Sequence, residues 1–225
     1  MGQMTVTRQY RQTINLTGSG APPARTFTLT DQQLNDSCGF VTTIGFTSTI
    51  TAGFVVVEVV AVCAGDVSGV SVGGVSLTKN VSSFVSSTNT VSAIFSGNIV
   101  SGGSQTINLT GPANSMFRCY IAIGNLSGAA AAPTTTGSAE VNTAGPSTIT
   151  SSSVTINTGG IAIAIAGSTG GGTLTSWVNM TADANEQGSI TLISGHSTSA
   201  GALSPQANLN TSFVASIASA AWDAG

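Results

Sequence analysis

Charge is what this chain has least of. Of 225 residues, 13 are charged, five basic and eight acidic, where soluble domains carry about 25%. A chain this poor in ions is not dispersed by mixed surface charge and is expected to sit among other protein copies. A basic stripe is missing as well, which removes nucleic acid as a partner of the body. Histidine occurs once, at His196, with no motif-level nucleophile or orienting acid; it reads as a loop residue, and no catalytic residue is assigned. The three cysteines, Cys38, Cys63 and Cys119, show neither metal-ligand spacing nor a C-x-x-C pair, which excludes a disulfide framework and a metal centre. No apolar run approaches the roughly 18 residues of a membrane helix. The first residues lack the apolar stretch of a secretory signal, so the reading is a protein with no membrane association and no export signal. Aromatic residues number only 12. Gly170, Gly171 and Gly172 have neither a following Lys nor a helix pattern, so they read as a turn and no cofactor is expected.

What is present is Val, Ile, Ala, Ser and Thr, with 28 glycines. Branched side chains fit a pleated surface, so the composition predicts an all-β fold. Residues 4–16 alternate, with Met4, Val6, Tyr10, Ile14 and Leu16 on one face, as a strand covered on one side does. A linker with Gly18, Gly20, Pro22 and Pro23 follows. The chain therefore divides into an N-terminal arm and linker over 1–25 and one β-sandwich body over 26–225. About a dozen short strands are expected in the body, including 26–30, 41–50, 54–63, 91–95, 106–109, 117–123, 154–156, 161–165, 189–193 and 213–220. Gly73 and Gly74 between alternating residues predict a two-residue primed turn. Residues 127–144 read as a long loop. The T-I-N-L-T-G of 13–18 recurs at 106–111; with no further similarity around it, it reads as a strand exit and not as a duplicated domain.

Three groups of residues are candidates for contact. Arg8, Arg11 and Arg25 precede the first acid, Asp31, so the leading segment is basic and the remainder acidic; with Tyr10 they form a partner-binding arm, although such arginines also serve to guard a strand edge. Cys38, in a loop-like Asp36-Ser37-Cys38-Gly39, is a possible inter-chain thiol. Trp177 and Asn179 mark a possible ligand loop, although a lone tryptophan among alternating residues is more often a core or interface anchor. Glu58 interrupts the apolar run of 54–63 and is assigned to a solvent-facing side, with burial beside a partner as the alternative. Asp183 and Glu186 read as solvated loop acids.

The V-V-V-E-V-V-A-V strand at 55–62, the V-S-V-G-G-V-S-L-T of 70–78 and a strand ending near Phe95 resemble jelly-roll β-sandwich domains of tailed-phage virion proteins and of some bacterial surface proteins. The Y-I-A-I of 120–123, the Ser/Thr-rich 151–158, the 161–166 strand and the closing strand to Ala221 continue the likeness over roughly 26–222. Val72, where an aromatic is common, and Ala93-Ile94-Phe95 depart from it. The resemblance implies a non-enzymatic bacteriophage structural protein, a capsid decoration or fibre-type subunit. It would be made in the host cytoplasm and carried on the virion. Its partners would be the major capsid protein or neighbouring subunits, and sister copies in a homotrimer. The alternative is a receptor- or glycan-binding module of a tail fibre.

Overall fold

The computed structural model describes residues 23–36, 39–128, 132–141, 147–169, 173–187, 190–210 and 214–225. The arm strand of 4–16 with Arg8, Tyr10 and Arg11, the thiol of Cys38 and the glycines of 170–172 lie outside the described residues. The described residues form strands and turns and no helix. In the first half these are β1 (Phe27–Asn35), β2 (Thr43–Ile50), β3 (Gly53–Val62), β4 (Gly69–Val72), β5 (Val75–Ser76), β6 (Thr78–Val85), β7 (Thr90–Ile99), β8 (Gly103–Thr110) and β9 (Arg118–Leu126). In the second half they are β10 (Thr135–Val141), β11 (Thr148–Thr150), β12 (Val154–Ile156), β13 (Ile161–Thr169), β14 (Leu174–Trp177), β15 (Thr181–Gln187), β16 (Ile190–Ser197), β17 (Gly201–Leu203), β18 (Gln206–Leu209) and β19 (Ala215–Trp222). Gly73 and Gly74 both take positive φ, 57° and 83°, as the primed turn between β4 and β5 requires. Residues 135–141, expected in a loop, form β10 and pair along β19. The Thr, Ser and Gly that made the segment look irregular are tolerated there because β10 is the last strand of its sheet.

The single sandwich expected over 26–225 is in fact two. Strands of the first half pair only with one another, in sheets β1-β9-β3-β7-β6 and β2-β8-β4-β5; those of the second half form β10-β19-β13-β16-β15, β11-β18-β14 and β12-β17. All the ladders are antiparallel. The second order repeats the first, with β2 and β8 each cut into two pieces and no counterpart of the two-residue β5 among the described residues. The cut falls at Pro205, between β17 and β18, because proline has no N–H for a ladder. The repeat reaches into local irregularities. Thr78 opposite Ser96 corresponds to Thr181 opposite His196, and each strand then carries a bulge, at Asn80 in one half and Asp183 in the other. The sequence hides this because parity is kept while residues change: Val56, Glu58 and Val60 answer to Ile163, Ile165 and Gly167.

Four layers result. The five-stranded sheets meet face to face, β7 against β13 and β19, β3 against β13, and β9 against β16, with β6 lying on β10. Exchange of the halves turns the β7–β19 contact into β9–β16 and maps β3–β13 onto itself, while the contacts of β6 with β10 and β19 have no comparable mates between β15 and β1 or β9, so the two-fold relation holds for the central strands and fails at the edge. The central core joins Phe54, Val56, Val60, Ile94 and Tyr120 to Ile161, Ile163, Ile165, Leu192 and Trp222. The outer cores lie between β3, β7 and β9 and the β2-β8-β4 sheet, and between the Ala164 and Ala166 face of β13 and β14, β11 and β18. That shallow alanine face is what allows the third and fourth layers to approach closely.

Candidate functional site

The residues chosen from sequence as contacts are mostly structural. Arg25 is buried at 6% exposure. Its Nε–H donates to the Asp223 carbonyl and its Nη1–H to the Ser127 carbonyl at 2.8 Å, tying the start of the described chain to its end and to the connection between the halves. It is therefore withdrawn from the partner-binding arm: its guanidinium is spent on internal carbonyls. Trp177 is also buried, in the core of the last two layers, with its Nε1 against Gly195, where a β-carbon would stand 2.5 Å away. Asn179 donates from Nδ2 to the Ser204 carbonyl at 2.8 Å and accepts from the Gln206 N–H, which braces the turn beside Pro205. The proposed ligand loop is thus corrected to a packing and turn motif, and the glycan reading loses its aromatic platform. Cys63 and Cys119 are buried, Cys63 donating to the Gly65 carbonyl, and burial pushes Cys63 up to about 11.

His196 and Asp183, expected in loops, lie on neighbouring strands β16 and β15, with Nδ1 2.7 Å from Oδ1. The hydrogen bond to Asp183 raises the imidazole's affinity for protons, against the opposing effect of partial burial. In the other half the same bulge is held by Asn80 Nδ2 donating to Ser96 Oγ at 2.7 Å, so the His–Asp pair occupies a bulge-clamping position. Glu186 is likewise on β15. Ser194 completes a Ser, His and Asp grouping, but its hydroxyl is fully buried and donates to Glu58 Oε2 at 2.7 Å. Among the described residues no cluster of three His, Cys, Asp or Glu could hold a metal ion.

Glu58 does not meet solvent. It is fully buried in the central seam, and burial first, with the negative Asp183 adding to it, lifts its carboxyl well above the usual carboxylate range. The alternation of β3 put it on the face of Phe54, Val56 and Val60, as read from sequence; what the sequence could not show was a second sandwich covering that face.

The outward faces of the two outer layers carry the most distinctive surface chemistry. In the first, Thr43 stands beside Thr110, Gly45 beside Asn108, Thr47 beside Thr106 and Thr49 beside Ser104, with Ser71 on the far side of Asn108. In the last, Thr148 stands beside Asn208 and Thr150 beside Gln206, with Ser176 next to Asn208 and Thr155 beside Ala202. No strand of either outer layer contains Asp, Glu, Lys, Arg or His. The ionisable strand residues fall on the inner sheets instead: Asp31 on β1, Glu58 on β3, Lys79 on β6, Arg118 on β9, Glu140 on β10, Asp183 and Glu186 on β15, and His196 on β16. Compared with protein-family models, with curated proteins and with solved structures, the chain matches none of them.

Proposed function

We propose that this chain is a non-enzymatic structural subunit of a bacteriophage virion, a decoration or fibre-type protein that packs against sister copies and neighbouring virion proteins. The observation that carries the reading is the segregation of charge. Both outer sheet faces are neutral arrays of hydroxyl and amide groups, each able to donate and to accept, so one such face opposes another without like-charge repulsion. The outer strands β2, β8, β4 and β5 present about 350 Å² at the usual strand spacings, so a contact of two such faces gives about 700 Å² and the arm supplies the rest of the roughly 1,000 Å² of a specific interface. Two faces per copy supply the contacts of a closed homo-oligomer, a trimer being the form to test. The strand order β1-β9-β3-β7 beside β2-β8-β4-β5 supports a jelly-roll reading of the first half. With Arg25 occupied internally, the arm that reaches a neighbour is 1–22, carrying Arg8, Tyr10 and Arg11.

The test is compositional. Gradient-purified particles of the phage that encodes the chain contain it at fixed stoichiometry by quantitative mass spectrometry, and removal of residues 1–22 lowers that occupancy while leaving the thermal transition unchanged. Particles lacking the chain would refute the virion assignment; undiminished occupancy of the truncated protein would refute the role of the arm.

A further inference from the structure

The central seam is polar in a way that its own two-fold relation makes readable. Glu58 lies between Ile94 and Ala122 in its sheet, and Ile165 lies between Ser194 and Ala218. Position 58 thus answers to 165 and position 94 to 194. The Glu58–Ser194 contact across the seam has as its two-fold mate the pair Ile165 and Ile94, both in the central core. An isoleucine pair fits this geometry, yet on one side of the axis the chain places a carboxyl group and a hydroxyl. Glu58 Oε2 accepts from Ser194, and Oε1 is buried without a hydrogen-bond partner, an arrangement that costs stability relative to an apolar pair.

Among the described residues, the other side-chain hydrogen bonds between the facing strands sit on the opposite side of the axis, while Arg25 joins the halves at the strand ends through the Gly159 and Asp223 carbonyls. Ser83 Oγ–H donates to the Ala139 carbonyl at 2.7 Å, Ser92 and Ser216 share a 2.7 Å bond, and Thr90 and Thr169 a 2.6 Å bond. The two-fold mates of the last two positions are Leu192 and Tyr120, and Ile190 and Val62, whose side chains belong to or pack on the central apolar core. One side, along β6, β7, β10 and β19, is therefore laced by hydroxyl groups; the other, along β9 and β16, holds apolar side chains and the Glu58–Ser194 bond.

Around Glu58, β15 contributes Asp183 and Glu186, β16 contributes His196, β9 contributes Tyr120 and, at its far end opposite Val62, Arg118 paired with Asp36, and β1 contributes Asp31, while β7, β13 and β19 contribute no ionisable side chain. The imidazole of His196 is directed at Asp183. The surroundings are acidic overall, and Tyr120 registers this: burial first, then Glu186, Glu58 and Asp31, push its phenol upward. A second negative charge in this seam has no cation beside it.

We propose that Glu58 and Ser194 form a proton-held clasp between the two sandwiches: protonated Glu58 keeps the β9–β16 side shut, and loss of that proton opens this side while the β6–β10 side stays hydrogen-bonded. In the opening step the carboxyl O–H bond breaks and the proton passes to hydroxide, giving water and a carboxylate that is stable only when solvated. The device is a hinge laced by hydroxyls and a latch released by base. It is independent of the virion reading.

Amide hydrogen exchange of the full chain, corrected for the intrinsic pH dependence of exchange and followed by mass spectrometry from about pH 5 to about pH 10, tests it. Opening controlled by one proton grows about tenfold per pH unit above the ordinary carboxylate range and levels off once pH passes the raised value of Glu58 in the closed state. That rise is expected in peptides from β9 and β16 and not in those from β6 and β10. Glu58→Gln abolishes it, and so does the pair Glu58→Ile with Ser194→Ile, which transplants the two-fold mate and remains informative if the glutamine variant fails to fold. The proposal is overturned if the wild-type rise is absent, if all four strands open together, or if the rise persists in either variant.

Discussion

Val60 packs tightly against Gly167 across the two sandwiches, and a single methyl group there probes the stacked arrangement. A β-carbon on Gly167 would overlap Val60 Cγ1 and stand 2.7 Å from Cγ2, far inside the roughly 3.5–4.0 Å of a relaxed carbon contact. Val60 is fully buried, between Ser92 and Tyr120 of its own sheet, so it has little room to retreat. Overpacking of this kind costs about 1–3 kcal/mol, and the preference of a strand for alanine over glycine returns about 0.5–1 kcal/mol. Gly167→Ala is therefore expected to lose about 1–2 kcal/mol, or about 2–8 °C in Tm at this chain length. Val60→Ala alone removes two methyl groups from the core and costs about 1–3 kcal/mol. In the double variant the added methyl occupies the vacated space, so the two changes couple favourably by about 1 kcal/mol or more. Urea unfolding followed by fluorescence of the buried Trp177 and Trp222 measures all three. Additivity within about 0.5 kcal/mol would refute the contact, and with it the face-to-face packing of β3 on β13.

Arg25→Met strands two carbonyl acceptors and lowers stability by about 1–3 kcal/mol, and Arg25→Lys fails to restore it because a point charge cannot reach both carbonyls as the guanidinium does; chemical denaturation checks both. Trp177→Ala leaves a large void in the last core and costs about 3–5 kcal/mol, seen as a lowered Tm; unchanged stability with a lost ligand would reinstate the binding loop. His196 gains proton affinity chiefly from its bond to Asp183, so its stabilising effect is complete below the unfolded value of about 6.5 and fades as pH rises through the folded value. Asp183→Asn moves the imidazole back toward that unfolded value, observable by NMR titration. Glu58, lifted first by burial, acts with the same sign: its neutral form favours folding, and that preference is lost as pH climbs through its raised value.

Much of the strand content was legible because period-two patterning survives in short segments. The runs at 54–63 and 161–165 became the central strands β3 and β13, and the glycine pair at 73 and 74 became its turn. The duplication was not legible. Faces of the sheets are conserved between halves as apolar or polar only, and corresponding residues such as Val60 and Gly167, or Tyr120 and Ser216, share no chemistry. The same blindness misplaced Glu58, since one strand's alternation says which residues share a face but not what covers it. Trp177 and Arg25 looked available for partners for a related reason: their burial comes from Gly195 and from the far terminus, both distant in sequence. The neutrality of the outer faces was present in the composition from the start, but its placement emerges only when the charged residues are mapped onto the inner sheets.

The most direct test of the account is the mass of the full chain in solution across a concentration series, by sedimentation or light scattering. Packing through uncharged outer faces predicts a species several times the 22.2 kDa chain mass, reduced toward that mass by Thr47→Lys with Thr106→Lys, which places like charges on opposed faces without disturbing the cores. A single 22.2 kDa species at every concentration, or an assembly indifferent to those two lysines, would contradict it.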